Sequence, residues 1–160
     1  MARILIVGGG CRGRRLSSAM VESGHAVRAS TRTEAGREAI EATGAECWIG
    51  TPDRLATLRP ALDGVTVLCW MLGSAVGTAE ELHELHTSRL QFFLSQAIDT
   101  TVRGFVYEAG GTPQQLLLEG REIAHGLTER NAIPARFLTA DPSDGEAWLS
   151  DAAGSVESLL

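Results

Sequence analysis

The sequence predicts an α/β domain: a doubly wound parallel sheet with helices on both faces, in three layers. Three observations point there. Apolar runs of strand length alternate with helix-length segments in a sustained rhythm along the 160 residues, as in a sheet whose strands are joined by crossover helices. The run from Val65 to Leu72 is apolar at successive rather than alternate positions, as expected of a strand covered on both faces. Gly24, Gly44 and Gly64 each follow a segment of helical spacing, where a glycine suits a helix end.

Taken in order, Ile4 to Val7 is a β-rich run bounded by glycines, and Leu16, Ala19, Met20 and Ser23 mark a helix from Arg14 to Glu22. His25 to Ser30 reads as the second strand. Glu34 to Thr43 reads as a helix with Ala35, Ala39 and Ile40 inward, and Ala45 to Ile49 as a short third strand. Pro52 suits the first turn of a helix carrying Leu55, Leu58 and Leu62, and Val65 to Leu72 is then the fourth strand. Thr78 and Glu81 form a capping-box signature before what reads as the longest helix, with Leu82, Leu85, Leu90, Phe93, Leu94 and Ala97 on one face. Phe105 to Glu108 is the fifth strand, Gln114 to Arg130 a helix around Leu117, Leu118, Ile123 and Leu127, and Ala135 to Thr139 the sixth strand. The segment beyond Thr139 reads as a short tail of about twenty residues, so residues 1–160 are expected to form a single domain.

Composition narrows the function classes. The 14 Lys+Arg against 20 Asp+Glu leave a formal charge of -6, which repels a phosphate backbone, so nucleic acid is not an expected partner. No apolar run approaches the roughly 20 residues of a spanning helix, and the Met1 end lacks a basic-then-apolar signal layout, so a cytoplasmic protein without membrane contact is expected. Cys11, Cys47 and Cys69 are an odd number without metal-like spacing, which predicts neither a disulfide nor zinc.

Gly8, Gly10 and Gly13 spell G-x-G-x-x-G where the first strand meets the first helix. In that context the first glycine permits the tight turn, the second lets the backbone approach a pyrophosphate, and the third lets helix and strand pack closely. The helix N-terminus supplies free N–H groups and partial positive charge for the anion. A ligand-free glycine turn is the competing reading, at a backbone-entropy cost of about 0.5–1 kcal/mol per glycine. Arg12, Arg14 and Arg15 crowd the same helix start, where cations oppose the dipole. Arg12, inside the loop beside Cys11, is the better phosphate candidate; Arg14 and Arg15 are expected to face solvent or pair with acids elsewhere.

A site that prefers NAD carries an acid near the end of the second strand to bind ribose hydroxyls. Here that place reads Ser30-Thr31-Arg32: two hydroxyls and a guanidinium fork suited to a 2′-phosphate. The expected cofactor is therefore NADP, with NAD possible. Leu72, Gly73 and Ser74, at the end of the fourth strand, complete the candidate cofactor-binding set.

With Ile4-Leu5-Ile6-Val7-Gly8-Gly9-Gly10-Cys11-Arg12-Gly13 followed by Ser23-Gly24-His25-Ala26-Val27-Arg28, the chain resembles an atypical short-chain dehydrogenase/reductase. The relatives meant are NAD(P)-binding proteins of the NAD-dependent epimerase/dehydratase and NmrA-like types. Gly44-Ala45-Glu46, Leu62-Asp63-Gly64-Val65 and the stretch from Asn131 to Leu138 resemble their entries to the third, fourth and sixth strands. The resemblance implies a Rossmann-like sheet ordered 3-2-1-4-5-6, with the dinucleotide across the carboxyl ends of the strands. It also implies an oxidoreductase or epimerase-like activity on a small substrate. Two departures stand out. Where the family commonly has Gly-Asp after the third strand, this chain has Gly50-Thr51-Pro52 with Asp53 displaced. Where catalytic members carry Tyr-x-x-x-Lys, counting back from Asn131 places Leu117 and Arg121, and neither replaces tyrosine chemically.

The remaining acid/base candidates are Glu108, ending the fifth strand, and His125 on the next helix, with Thr112 between them as a hydroxyl near substrate. Tyr107 reads as a sheet residue. His83 and His86 read as a solvated helix face rather than a metal pair, since no third ligand is in reach. Because Glu108, Thr112 and His125 form no established set, a non-catalytic NADP-binding regulatory or sensor module is the alternative. Phe92 beside Phe93 offers more apolar width than one core face needs, so a homodimer is expected.

Overall fold

A computed structural model describes residues 2–160. Its strands are β1 (Arg3–Val7), β2 (Ala26–Thr31), β3 (Glu46–Ile49), β4 (Val67–Trp70), β5 (Gly104–Glu108) and β6 (Ala135–Leu138). They form one sheet ordered β3-β2-β1-β4-β5-β6, parallel at every pairing. Strand periodicity divides the core. Ile4 and Ile6 point into one apolar layer, and Leu5 and Val7, one residue on, point into the other. The first layer is closed by α1 (Cys11–Glu22), α2 (Arg37–Glu41) and α6 (Gly145–Glu157); the second by α3 (Ala79–His86), α4 (Ser88–Ile98) and α5 (Gln114–Arg130).

Four local expectations are corrected. The segment after Pro52 is not an α-helix but two 3₁₀ turns, Leu55–Thr57 and Arg59–Leu62. Pro60 explains this, since it lacks the N–H that an α-helix running through from Pro52 would need there and its ring clashes with the preceding turn, whereas it fits the first turn of a short 3₁₀ helix. Leu55, Leu58 and Leu62 still bury their side chains. The expected longest helix is two, broken at Thr87 (φ -124°, ψ -87°), whose hydroxyl donates to the His83 carbonyl at 2.6 Å. At 17 residues, α5 is longer than either. Between β2 and β3, a 3₁₀ turn at Glu34–Gly36 precedes α2; Ile40 is buried, whereas Ala35 and Ala39 are exposed.

The fourth correction matters most for the site. Residues expected to be a tail form α6, a core element. The Asp144 carboxylate accepts from Ala147 N at 3.1 Å and caps it. Trp148, Ala152 and Val156, four residues apart, then bury one face in the layer that α1 also closes. The Asp151 carboxylate accepts from Thr139 N and Ala140 N, each at 3.3 Å, which ties α6 to the end of β6.

Candidate functional site

The glycine loop occupies the junction of β1 and α1, and its three glycines are there for two different reasons. A Cβ on Gly8 (φ +123°) would lie 2.2 Å from the Met71 carbonyl oxygen, and one on Gly13 would lie 1.8 Å from the Gly8 carbonyl oxygen. Those two positions are closed to any larger residue by the protein's own backbone. Gly10 has an ordinary φ of -73°, and a Cβ there would meet nothing within 4 Å. It starts α1, and no side chain caps that helix end, so N–H groups of the first turn remain available for an anion. Two cavities, of about 260 and 330 Å³, meet at Gly8, Gly10 and Leu72.

The larger of the two lies over β2 and is lined by Ser30, Thr31, Arg32, Pro52, Val76 and Leu85, among others. The buried Ser30 hydroxyl accepts from Gly8 N at 3.3 Å and so braces the loop. Arg32 is 59% exposed and pairs at 3.0 Å with Asp53, itself 46% exposed. The acid that the sequence shows as displaced is thus folded back onto the guanidinium.

The smaller cavity lies over β4 and β5 and is lined by Cys11, Arg12, Gly13, Met71, Ser74, Glu108 and Trp148, among others. Glu108 is 1% exposed. Its Oε1 accepts from Gly73 N at 2.6 Å and its Oε2 from Trp148 Nε1 at 2.7 Å. Burial pushes its pKa above the usual carboxylate range, against the opposing pull of these two donors and of Arg12. Arg12 donates to the Ser74 hydroxyl, places Nε 3.7 Å from Glu108 Oε2, and lies 5.6 Å from the centre of the Trp148 ring. Its neighbours are braces: Arg14 donates to the Gly9 carbonyl at 3.1 Å, and Arg15 pairs with Glu146 at 3.5 Å.

No protein-family model matches the chain. The 4-hydroxy-2-methyl-3-oxo-4-farnesyl-3,4-dihydroquinoline-1-oxide ketoreductase of Stigmatella aurantiaca is 30% identical over 144 residues, covering 88% of this chain and 42% of that protein. A UDP-glucuronic acid 4-epimerase of Bacillus cereus, solved with NAD, superposes at a TM-score of 0.69 with 13% identity, over 86% of this chain and 55% of that one. The triphenylmethane reductase of Citrobacter sp., solved with NADP(H), gives 0.66 and 18%, over 85% and 48%. The chain has the fold of an atypical short-chain dehydrogenase/reductase. It spans about half the length of the solved proteins and 42% of the ketoreductase.

Of the two residues that the count back from Asn131 sets against the family's tyrosine and lysine, Leu117 is core and Arg121 is exposed, its guanidinium 5.2 Å from the centre of the Phe137 ring. Arg121 lines a third cavity of about 700 Å³, with Thr112, Gln114, Leu118, Asp141 and Ser143; Ser74 joins it to the cavity holding Glu108. Glu108 and Thr112 therefore both border the carboxyl ends of the strands. His125 does not join them. It faces Ile133, Pro134 and Ala135, where β6 begins, and in a parallel sheet that is the opposite edge.

Two side chains enter the site region that sequence reasoning placed elsewhere or missed. His86 is buried, not solvated. Its Nδ1 lies 2.9 Å from the Tyr107 hydroxyl and its Nε2 3.2 Å from the Leu72 carbonyl oxygen. Since a carbonyl only accepts, Nε2 carries the proton and the phenol donates to Nδ1. Burial pulls the His86 pKa down to about 4, against a smaller opposing pull from Leu72, and raises that of Tyr107. Trp148, the second, was signalled by its spacing with Ala152 and Val156 behind Asp144.

Proposed function

We propose that the chain binds a nicotinamide dinucleotide across the glycine loop, NADP in preference to NAD, and reduces a small carbonyl substrate in the adjoining cavity. Gly10 carries this reading. Neither its φ nor its packing asks for glycine, whereas a diphosphate lying on the start of α1 needs the room that a Cβ would fill. In the short-chain dehydrogenase/reductase fold the switch point lies between β1 and β4, so the adenosine half falls over β2 and the nicotinamide half over β4 and β5. Thr31 and Arg32 would then hold the adenosine ribose and its 2′-phosphate, and Arg12 with the first amides of α1 the diphosphate. Leu72, Gly73 and Ser74 would line the nicotinamide side, beside Cys11 and Gly13. A bound nicotinamide supplies hydride. The chain's own part is to seat a substrate between Ser74, Thr112 and the Ala109 to Gly111 backbone, with Glu108 and Thr112 as the polar groups nearest the carbonyl.

Calorimetric titration with NADP and NAD tests binding, and heat from neither at millimolar concentration overturns it. Consumption of NADPH against a panel of aldehydes, ketones and quinones tests turnover. A second reading, a regulatory module in which the dinucleotide stabilises one partner-binding state, draws on the sequence count that sets Leu117 and Arg121 against the family's tyrosine and lysine. Retained binding with no turnover on the whole panel favours it. Self-association through α4 is proposed on Phe92, 56% exposed beside a fully buried Phe93; a monomer mass by sedimentation at micromolar concentration refutes it.

A further inference from the structure

Charge in the Glu108 cavity is balanced within the protein. Arg12 is the one cation and Glu108 the one carboxylate among its described lining residues. Glu108 is wired for its ionised form. Gly73 N and Trp148 Nε1 donate to it at 2.6 and 2.7 Å, so a proton on the carboxyl would meet another donor, and the Arg12 guanidinium stands beside it as a counter-charge, Nε 3.7 Å away. Burial works the other way and raises its pKa. Arg12 holds the balance, because the other facing elements offer Glu108 no second cation. Within β5 the neighbouring Tyr107 phenol turns to the opposite face, to His86; the loop after β4 brings Gly73 and Ser74, and β6 brings Leu138. α6 brings the Trp148 indole, while Arg15 and Glu146, outside the lining, pair with each other, and the remaining titratable group of the lining is the Cys11 thiol.

Arg12 is also incompletely held. Its Nε is buried with no hydrogen-bond partner, and a phosphate oxygen is the stronger acceptor for it. We propose that a dinucleotide's diphosphate draws Arg12 away from Glu108, and that Glu108 takes up one proton from solvent as the ligand binds. The inference rests on the dinucleotide reading above. In the step, the carboxylate becomes the neutral acid, with no change of oxidation state. Stripped of its counter-charge and set in the same cavity as a new anion, an ionised Glu108 would be buried and unpaired.

Linkage sets the sign. The liganded protein holds the extra proton, so affinity rises as pH falls, with Kd changing about tenfold per pH unit between the pKa of Glu108 in the free and in the liganded protein. Calorimetry of the full chain with NADP, near neutral pH in Pipes, Hepes and Tris, reads the proton count from the dependence of the heat on buffer ionisation. An uptake close to one proton is expected. Zero uptake with intact binding overturns this proposal alone; no binding overturns the dinucleotide reading and this proposal with it. Glu108→Gln should bind with no uptake and a flat pH profile, and a wild-type proton count there places the proton elsewhere and overturns the assignment. Because that amide sets an N–H against neighbouring donors, Arg12→Ala is the second arm. There Glu108 lacks its counter-ion before the ligand arrives, so the uptake should fall; an unchanged count also overturns the proposal.

Discussion

The two halves of the strand-end surface are built from different materials. Over β2 the cavity is walled by loop backbone, a buried serine that braces the loop, and an exposed arginine paired with Asp53. Over β4 and β5 it is walled in part by the buried pair Glu108 and Trp148, hydrogen-bonded across forty residues of sequence, and on the far face of the same strands His86 and Tyr107 are fastened to each other. Substitutions in the first half should therefore divide cleanly between folding and binding. In the second half the two should move together, since the groups facing the ligand are also fastenings of the core.

The sharpest way to break this contrast lies within the glycine loop. Gly13→Ala forces a methyl group against the Gly8 carbonyl oxygen, 1.8 Å from its built position, and should cost about 3–5 kcal/mol of stability. Gly10→Ala should change stability by less than about 1 kcal/mol, because the open space takes the methyl and only the preference for glycine at a helix start is lost. Its dinucleotide affinity should nonetheless fall about tenfold or more. Urea unfolding beside calorimetric titration separates the two, and equal losses of stability in both variants would erase the distinction between glycines required by the chain and glycine required by a ligand.

In the other half, His86 makes stability depend on acid. Its folded pKa of about 4 lies below the ordinary histidine value of 6.5. The unfolded chain thus binds the proton first, and the stabilisation is full above the unfolded pKa and lost as pH falls through the folded one. The loss amounts to about 3 kcal/mol for this group. Urea midpoints across that window should drop steeply in the wild type and less in His86→Gln, while an identical slope in the two would remove His86 as the cause. Trp148→Phe probes the same half with a smaller effect. It leaves Glu108 Oε2 without its indole donor and opens a small void, at about 2 kcal/mol, and dinucleotide affinity should weaken with it.

The order of difficulty in reading the sequence follows the same division. The strands, the glycine loop and the capping box at Thr78 were legible because each is written in neighbouring residues: a run, a spacing, a cap. The break at Thr87 and the 3₁₀ turns around Pro60 were local too, but there helical spacing of leucines outvoted a proline and a β-branched residue. What stayed hidden was long-range. Nothing in the order of residues says that His86, three places from the exposed His83, turns inward to Tyr107. Nor does it say that Glu108 and Trp148, forty residues apart, share a hydrogen bond. His125 failed for a geometric reason: eleven residues along a helix from its start at Gln114 carry a side chain about 16 Å away from the strand ends.

The smallest effect concerns the rim of the first half and bears on cofactor choice. Arg32 and Asp53 meet at 3.0 Å with both side chains close to half exposed or more, and such a pair contributes about 0–1 kcal/mol to stability. A ligand phosphate therefore meets little resistance in drawing Arg32 from its partner. Arg32→Ala should leave the unfolding midpoint nearly unchanged and weaken NADP by about tenfold, or about 1.4 kcal/mol, with NAD affected much less. Asp53→Ala, by freeing the guanidinium and removing a negative charge from beside it, should tighten NADP. If Arg32→Ala weakens both dinucleotides alike, the guanidinium serves the common diphosphate or no ligand at all, and the preference for the 2′-phosphate has no other cation among the described residues lining that cavity to rest on.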